Sequence, residues 1–421
     1  MANRNSPPSS RLRLTDHLSI GVLTRTVPRY VVDEVLADTG KKEKRSRLLP
    51  AHVVVYFVMA LALFRDGYDE VLRALVHGLR FARTWSNAWQ VPTPGALTQA
   101  RVRLGEAPVK ELFARVARPL AGPTTRGAWL SGRRLVAIDG VMLDLPDTPA
   151  NIAEYPKAVG GTRRPYPQVK IVALGECGTK AVLDADIGSI GTGERELAHR
   201  LIRSIEPTML VLADRGFFSY DLWVTYRLTG AHLAWRVTKT TILPVLEALA
   251  DGSYRSEIVK PRIGKARIDV DRIDDLRLAT HIPVRVIDYQ IDTDEPGDNP
   301  ETYRVITSIL DPADTDATEL ATAYAQRWEI ETTFRQIECQ LLSPGSTLRS
   351  KTPEMIRQEI WGMLLTHYAI RAFMKDAADT IDIDPDRIST IRAINIIRRS
   401  ITDPAALSPL REEPPTPPNH S

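Results

Sequence analysis

The chain has 421 residues, 43% hydrophobic and 25% charged, the balance of a soluble globular protein of two or three domains. A formal net charge of +3 excludes a protein-wide basic field, so any contact with a polyanion must rest on local clusters. Two distant cysteines, Cys177 and Cys339, exclude a thiolate zinc motif, argue against a disulfide framework and fit a reducing cytoplasm. The longest apolar run, Val53 to Phe64, is too short to span a bilayer and reads as a buried helix, so no membrane partner is expected.

The first ten or so residues mix Ser and Pro, and the tail from about Glu412 carries Pro-Pro-Thr-Pro-Pro; both read as disordered. Apolar periodicity predicts helices over Tyr30 to Leu36, Val53 to Phe64, Asp69 to Leu79 and Lys110 to Leu120, an all-α region over 20–130. The basic run Lys41 to Arg47 suits phosphate contacts, as it suits a solvated face. Thr93 followed by Pro94 has the form of an N-cap with Pro at the first helical position. Gln99, Arg101 and Arg103 give that helix the side chains of a DNA-reading helix in a helix-turn-helix; an ordinary surface helix needs no such role, and both readings stand.

From residue 131 the pattern changes to strands at 135–145, 168–175, 181–187, 208–214 and 232–238, with helices at 193–204 and 219–229 between the later ones. Three consecutive strands followed by strand–helix alternation indicate a mixed sheet flanked by helices. Two strands carry an acid at the end of an apolar run, Leu135-Val-Ala-Ile-Asp139-Gly140 and Met209-Leu-Val-Leu-Ala-Asp214-Arg215-Gly216. A carboxylate there must reach solvent or meet a cation; alternatively each Asp caps a turn in which Gly supplies a positive φ. Asp139 and Asp214 are 75 positions apart, but 117 separate Asp214 from Glu331, too many for one crossover. The excess, 239–306, contains alternating runs at 266–273, 282–291 and 303–310 and reads as a β-rich insertion. Trp235, just before it, could stack on a base; buried packing is the favoured reading.

At about 100° per residue, Arg327 and Glu331 fall at about 300° and 340° from Tyr324, on one stripe, while Glu329 at about 140° points away. Arg335 and Glu338 return to the Tyr324 face. Alone, this is also the pattern of a solvated amphipathic helix with a Glu331–Arg335 pair. Joined to the two strand-borne acids, Glu331 completes a set of three carboxylates suited to a divalent-metal site for phosphoryl transfer on nucleic acid. A further amphipathic helix is expected over Glu354 to Phe373, and Arg392, Arg398 and Arg399 dot a late one.

These segments resemble, over roughly residues 20 to 378, the DDE transposases of bacterial insertion sequences, of the IS-four type. The resemblance rests on Asp139-Gly140, on Asp214-Arg215-Gly216-Phe217, and on Tyr324, Arg327 and Glu331 at the family's helical spacing; Glu338 stands where that pattern has Lys. It implies an α/β, ribonuclease-H-like mixed sheet flanked by helices. That core comprises 131–238 and 307–378 and is interrupted by the 239–306 insertion. A disordered stretch (1–19) and a DNA-contacting helical domain (20–130) precede it, and a helix with a disordered tail (379–421) follows.

The expected chemistry uses two ions, Mg²⁺ or Mn²⁺, with Asp139 bridging both, Asp214 on one and Glu331 on the other. Arg327 would offset phosphate charge and Tyr324 would hydrogen-bond a backbone oxygen near it. Arg335 would stand in for the missing lysine, leaving Glu338 as a DNA-facing position of altered charge. The implied partners are double-stranded DNA, both terminal inverted repeats and target, and a second copy of the chain in a synaptic homodimer, in a cytoplasmic, nucleoid-associated setting. Two alternatives remain at this point: a relative that binds DNA without cutting it, which Glu338 favours, and a carboxylate glycoside hydrolase, which 6% aromatic content and Arg-rich flanks disfavour.

Overall fold

The structure is a computed structural model that describes residues 22–43, 49–64, 67–68, 70–72, 92–157, 165–260, 280–291, 301–342 and 345–402. The expected 266–273 strand, most of the Asp69–Leu79 helix, Lys44 to Arg47 of the basic run and both terminal segments lie outside these residues.

The N-terminal region is helical, with α1 (Val22–Thr26), α2 (Arg29–Asp38), α3 (Ala51–Leu63), α4 (Pro94–Leu104) and α5 (Ala107–Val116). Every residue of α3 from His52 to Leu63 is buried, which accounts for an apolar run with no polar face. One of its partners is α11 (Pro353–Thr380), a helix longer than the sequence pattern indicates. There Gly362 lets the axes approach: a Cβ at that position would stand 2.5 Å from Val58 Cγ1. Thr366 Oγ1 also donates to Met59 O at 2.8 Å, so the helical region shares one core with the C-terminal helix.

α4 begins as expected, with Thr93 Oγ1 accepting from Ala96 N at 3.2 Å and Pro94 in the first turn. Its side chains divide differently from the DNA-reading proposal. Gln99 and Arg103 are exposed, whereas Arg101 is 2% exposed and cannot read a base. Its guanidinium donates to Gln358 Oε1 (2.9 Å), Ser350 Oγ (2.9 Å), Met355 O (3.3 Å) and the Tyr68 hydroxyl. An always-charged fork with several donors meets those acceptors more completely than any apolar residue could, which is why a charge sits in this helix joint.

The sheet contains β1 (Trp129–Leu130), β2 (Arg133–Asp144), β3 (Gln168–Glu176), β4 (Val182–Ser189), β5 (Met209–Ala213), β6 (His232–Arg236), β7 (Glu247–Ala248), β8 (Tyr254–Val259), β9 (His281–Ile291) and β10 (Glu301–Thr307). Short α6 (Pro149–Glu154) follows β2, α7 (Glu194–Arg200) and α8 (Tyr220–Arg227) connect β4, β5 and β6, and α9 (Ala317–Ala325), α10 (Trp328–Gln336) and α12 (Thr390–Thr402) complete the helices. The order is β4-β3-β2-β5-β6-β10-β9-β8-β7. β2, β3 and β4 are an antiparallel meander, and β5 and β6 run parallel to β2, the ribonuclease-H-like arrangement.

The insertion does not form a separate sheet. β10 pairs antiparallel with β6, and β9, β8 and β7 extend the same sheet outward. Arg285 on β9, wholly buried, donates to Ser253 Oγ at 2.8 Å and Thr315 O at 2.7 Å and pairs with Asp251. Asp251 in turn accepts from Ala317 N at 3.0 Å, fixing the insertion to the first residue of α9. Trp235 is fully buried with its ring edge-on to Trp223 and Tyr226, the packing role favoured over stacking.

Replacing Arg101 with Leu strands at least two buried acceptors and should lower unfolding free energy by about 3 kcal/mol. Denaturant melts of the variant, together with unaltered DNA-sequence preference in a binding-site selection, check both the structural assignment and the absence of base reading.

Candidate active site

Parallel pairing of β2 with β5 ends at Ile138 and Ala213, so Asp139 and Asp214 stand one residue beyond the last paired position of adjacent strands. Such strands lie about 4.8 Å apart. Register therefore brings together two acids 75 positions apart in sequence. Beyond Ala213, β5 leaves the sheet while β2 continues to Asp144, which opens a gap beside Asp139. On β3, Gly175 pairs with Ala137 and Ala173 pairs with Asp139, so all four share a face. Ile330 of α10 packs on that face, where a Cβ at Gly175 would lie 2.4 Å from Ile330 Cδ1. The bare glycine seats α10 on the side where the Asp139 carboxylate emerges.

The run from Tyr324 to Glu331 is not one regular helix. Between α9 and α10, Gln326 N, Arg327 N, Glu329 N and Ile330 N bond to the carbonyls of Ala323, Tyr324, Gln326 and Arg327, three residues back, which winds the chain tighter than the 100° arithmetic assumes. Two anchors accompany this turn. Ile330 is seated on Gly175, and the Glu329 carboxylate accepts from Gly178 N at 2.5 Å in the β3–β4 turn. Glu329 thus points away from Asp139, Asp214 and Glu331, as the 100° spacing indicates.

Asp139, Asp214 and Glu331 interact electrostatically, together with Arg327. Burial pushes the Asp139 carboxyl up to about 6; the Gly140 N–H and Arg327 lower it, and Glu331 and Asp214 add like charge. Arg327 is buried and donates from Nη1 to Glu331 Oε1 at 2.7 Å, while its Nε has no hydrogen-bond partner among the described residues. Its guanidinium lies 5.1 Å from the Trp328 ring centroid.

Tyr324 does hydrogen-bond a backbone oxygen, but it is the protein's own: the buried phenol donates to Ala213 O at 3.2 Å, immediately before Asp214. Tyr324 therefore fixes the end of β5 and does not reach a phosphate. Arg335 is exposed in the last turn of α10. Glu338 lies in a π-helical segment, Ile337–Leu341, which shifts its phase; its carboxyl is raised by burial and then by Asp144. Glu338 thus leaves the regular phase of the Tyr324 face, with Asp144 as an acidic neighbour.

Sequence reasoning missed Arg236, at the end of the next parallel strand. Its Nη1 is 3.8 Å from Asp214 Oδ1, and its guanidinium lies 4.0 Å from the Tyr303 ring centroid on β10. The available signal was positional: Arg236 ends the strand that follows the Asp214 strand.

Residues 130–368 match the family model described as transposase DDE domain. The chain belongs to the DDE transposase family. Residues 17–114 match a second model, insertion element 4 transposase N-terminal. The chain is similar to transposase InsG for insertion sequence element IS4 of Escherichia coli (strain K12), 29% identical over 388 residues covering 90% of this chain and 83% of that protein. It is also similar to the putative transposase InsZ of the same strain, 28% identical over 231 residues, 54% and 71% of the two chains. A cryo-EM structure of the piggyBac transposase synaptic complex with hairpin DNA aligns over 90% of this chain and 79% of that one, with a TM-score of 0.46 and 10% identity.

This protein is thus a DNA transposase, a polynucleotidyl transferase and endonuclease of the DDE class, and its family works with divalent metal ions. The residues present fit a hard cation in part. Asp214 Oδ1 is buried without a hydrogen-bond partner among the described residues, and Asp139 is a desolvated carboxylate beside other acids. Glu331, in contrast, gives one oxygen to Arg327. Among the described residues no group of three or more His, Cys, Asp or Glu side chains stands close enough to hold one ion.

The Glu329 carboxyl is pushed up to about 7, first by burial and then by Asp386. An acid whose folded value is raised stabilises the fold least when ionised: stability is full below the ordinary value of 4.5 and falls as pH rises through 7. Glu329→Gln keeps an acceptor for Gly178 N and should match the parent near pH 4.5 but exceed its stability by roughly 1–3 kcal/mol at pH 8. Thermal melts in EDTA across that range check the sign.

Proposed function

We propose that Asp139, Asp214 and Glu331 hold two divalent cations, Mg²⁺ or Mn²⁺, and that this transposase cuts double-stranded DNA at terminal inverted repeats and joins the freed 3′ ends to target DNA. The supporting observation is the register that ends β2 and β5 pairing immediately before Asp139 and Asp214, with α10 presenting Glu331 and Arg327 to the same face. When bound, the cations supply the positive charge that stabilises attacking and leaving oxygens at phosphorus.

The chain's own residues divide the remaining work. Arg327 holds Glu331 through Nη1, and its buried guanidinium places positive charge beside Asp139, Asp214 and Glu331, which offsets the charge of a bound phosphate. Tyr324 and Arg236 fix Asp214 from both sides, one through the preceding carbonyl and the other through its charge. Arg335, exposed on the last turn of the same helix, reaches the flanking backbone. In the helical N-terminal region, Lys41, Lys42 and Arg103 line one surface cavity of about 390 Å³, and Gln99 is exposed on the same helix as Arg103. This basic patch takes DNA phosphate away from the cleavage point.

Pairing two transposon ends calls for two copies of the site, hence a homodimer in the synaptic complex, working on the nucleoid in the cytoplasm. Among the described residues no helix is long and apolar enough to cross a membrane.

Asp139→Asn and Glu331→Gln should each abolish Mg²⁺-dependent nicking of terminal-repeat DNA while leaving its binding, measured by gel shift, largely intact. Normal nicking by either variant removes that residue from the ligand set.

A further inference from the structure

A fourth carboxylate approaches the site from the opposite face of the sheet. Gly140 points away from the Asp139 side and toward α7, since it pairs with Val172 on β3. A Cβ at Gly140 would lie 3.6 Å from Glu194 Oε1, and one at Gly216 would lie 3.9 Å from Glu194 Oε2. Glu194 therefore spans the two glycines that follow Asp139 and Asp214, in the gap where β5 leaves β2. Asp139 meets the same Gly140 from the other side through its backbone N–H. At those distances a Cβ at either glycine would be in van der Waals contact with the Glu194 carboxylate.

Backbone contacts fix this placement. Arg195 Nε donates to Gly216 O at 2.8 Å, and Lys170 Nζ donates to Thr192 O at 2.9 Å just before α7. Among the described residues no cationic side chain pairs with Glu194. Its neighbour in the same first turn, Glu196, does have a partner, Arg200, at 2.6 Å. A favourable helix-end interaction is open to both acids, so it does not explain why only Glu194 faces the glycines without a partner.

We propose that Glu194 is a positioning residue of the cation site, accepting hydrogen bonds from water on the ion that Asp139 and Asp214 hold. The inference rests on those two aspartates being ligands. The contact is assigned to a bridging water and not to direct ligation, because among the described residues no group of three acidic side chains stands close enough to hold one ion. Magnesium keeps several of its waters, so an outer acceptor orients them and adds charge without entering the coordination shell.

The test uses the full-length, DNA-free protein and Mn²⁺ as probe, with free Mn²⁺ measured by electron paramagnetic resonance and Tm measured separately in EDTA. Glu194→Gln should weaken Mn²⁺ binding roughly 10–100-fold with unchanged Tm. Glu194→Asp, which keeps the charge, should recover most of the affinity, and Glu196→Gln should bind as the parent does. Parent-like binding by Glu194→Gln, equal losses in Glu194→Gln and Glu194→Asp, or a fall in EDTA Tm that accompanies the lost affinity would overturn the proposal. Asp139→Asn separates the two levels: if it binds Mn²⁺ like the parent, the ligand assignment itself has failed, not the part given to Glu194.

Discussion

Negative charge gathered where the pairing of two buried strands ends is the constraint around which this molecule is organised. Asp139 and Asp214 follow apolar segments that must lie in the core, yet their carboxylates cannot be left there without compensation. The protein supplies part of the compensation itself. Arg236 approaches Asp214, the Gly140 N–H bonds Asp139, and Arg327 faces the group while holding Glu331. What this leaves, a carboxyl near 6 and a buried oxygen without a donor, matches the needs of a hard cation.

The helix that brings Glu331 is placed by small features of the sheet. Gly175 admits Ile330, and the Gly178 amide, in a turn with positive φ (80°), holds Glu329. Between these anchors and the Tyr324 bond to Ala213, the chain is wound into successive i→i+3 turns. Tyr324, Arg327 and Glu331 thus keep the spacing of a helical stripe but take up separate tasks: pinning β5, carrying positive charge and presenting an acid. A second set of fastenings ties in the insertion, since Arg285 and Asp251 join β9 to the start of α9. One continuous sheet therefore links the insertion to the catalytic strands, and a shift of either would be felt by the other.

The N-terminal helices are joined to this core by contacts that look, in sequence, like surface chemistry. Arg101 shows the difficulty. A lone arginine between two solvent-facing positions of an amphipathic helix carries no mark of burial, and only the arrival of Gln358, Ser350 and Met355 from more than 240 positions away supplies its acceptors. Glu338 is similar in kind, because a five-residue π-helical segment changes its phase, a shift that regular periodicity does not contain.

The amino-acid pattern by itself determined the strand-and-helix order of the core, the two acids at the ends of apolar runs, the buried helix over Val53 to Phe64 and the N-cap at Thr93. Each of these follows from hydrophobic periodicity or from a neighbour within a few residues. The motif around Tyr324 was legible for the same reason, as a spacing, though not as a set of contacts. Tertiary structure alone decided that Tyr324 serves β5, that Arg101 is a joint, that Arg236 and Glu194 stand at the site, and that the insertion extends the catalytic sheet. Those outcomes depend on register between strands and on glycines that admit a particular neighbour, and both are properties of segments distant in sequence meeting in space.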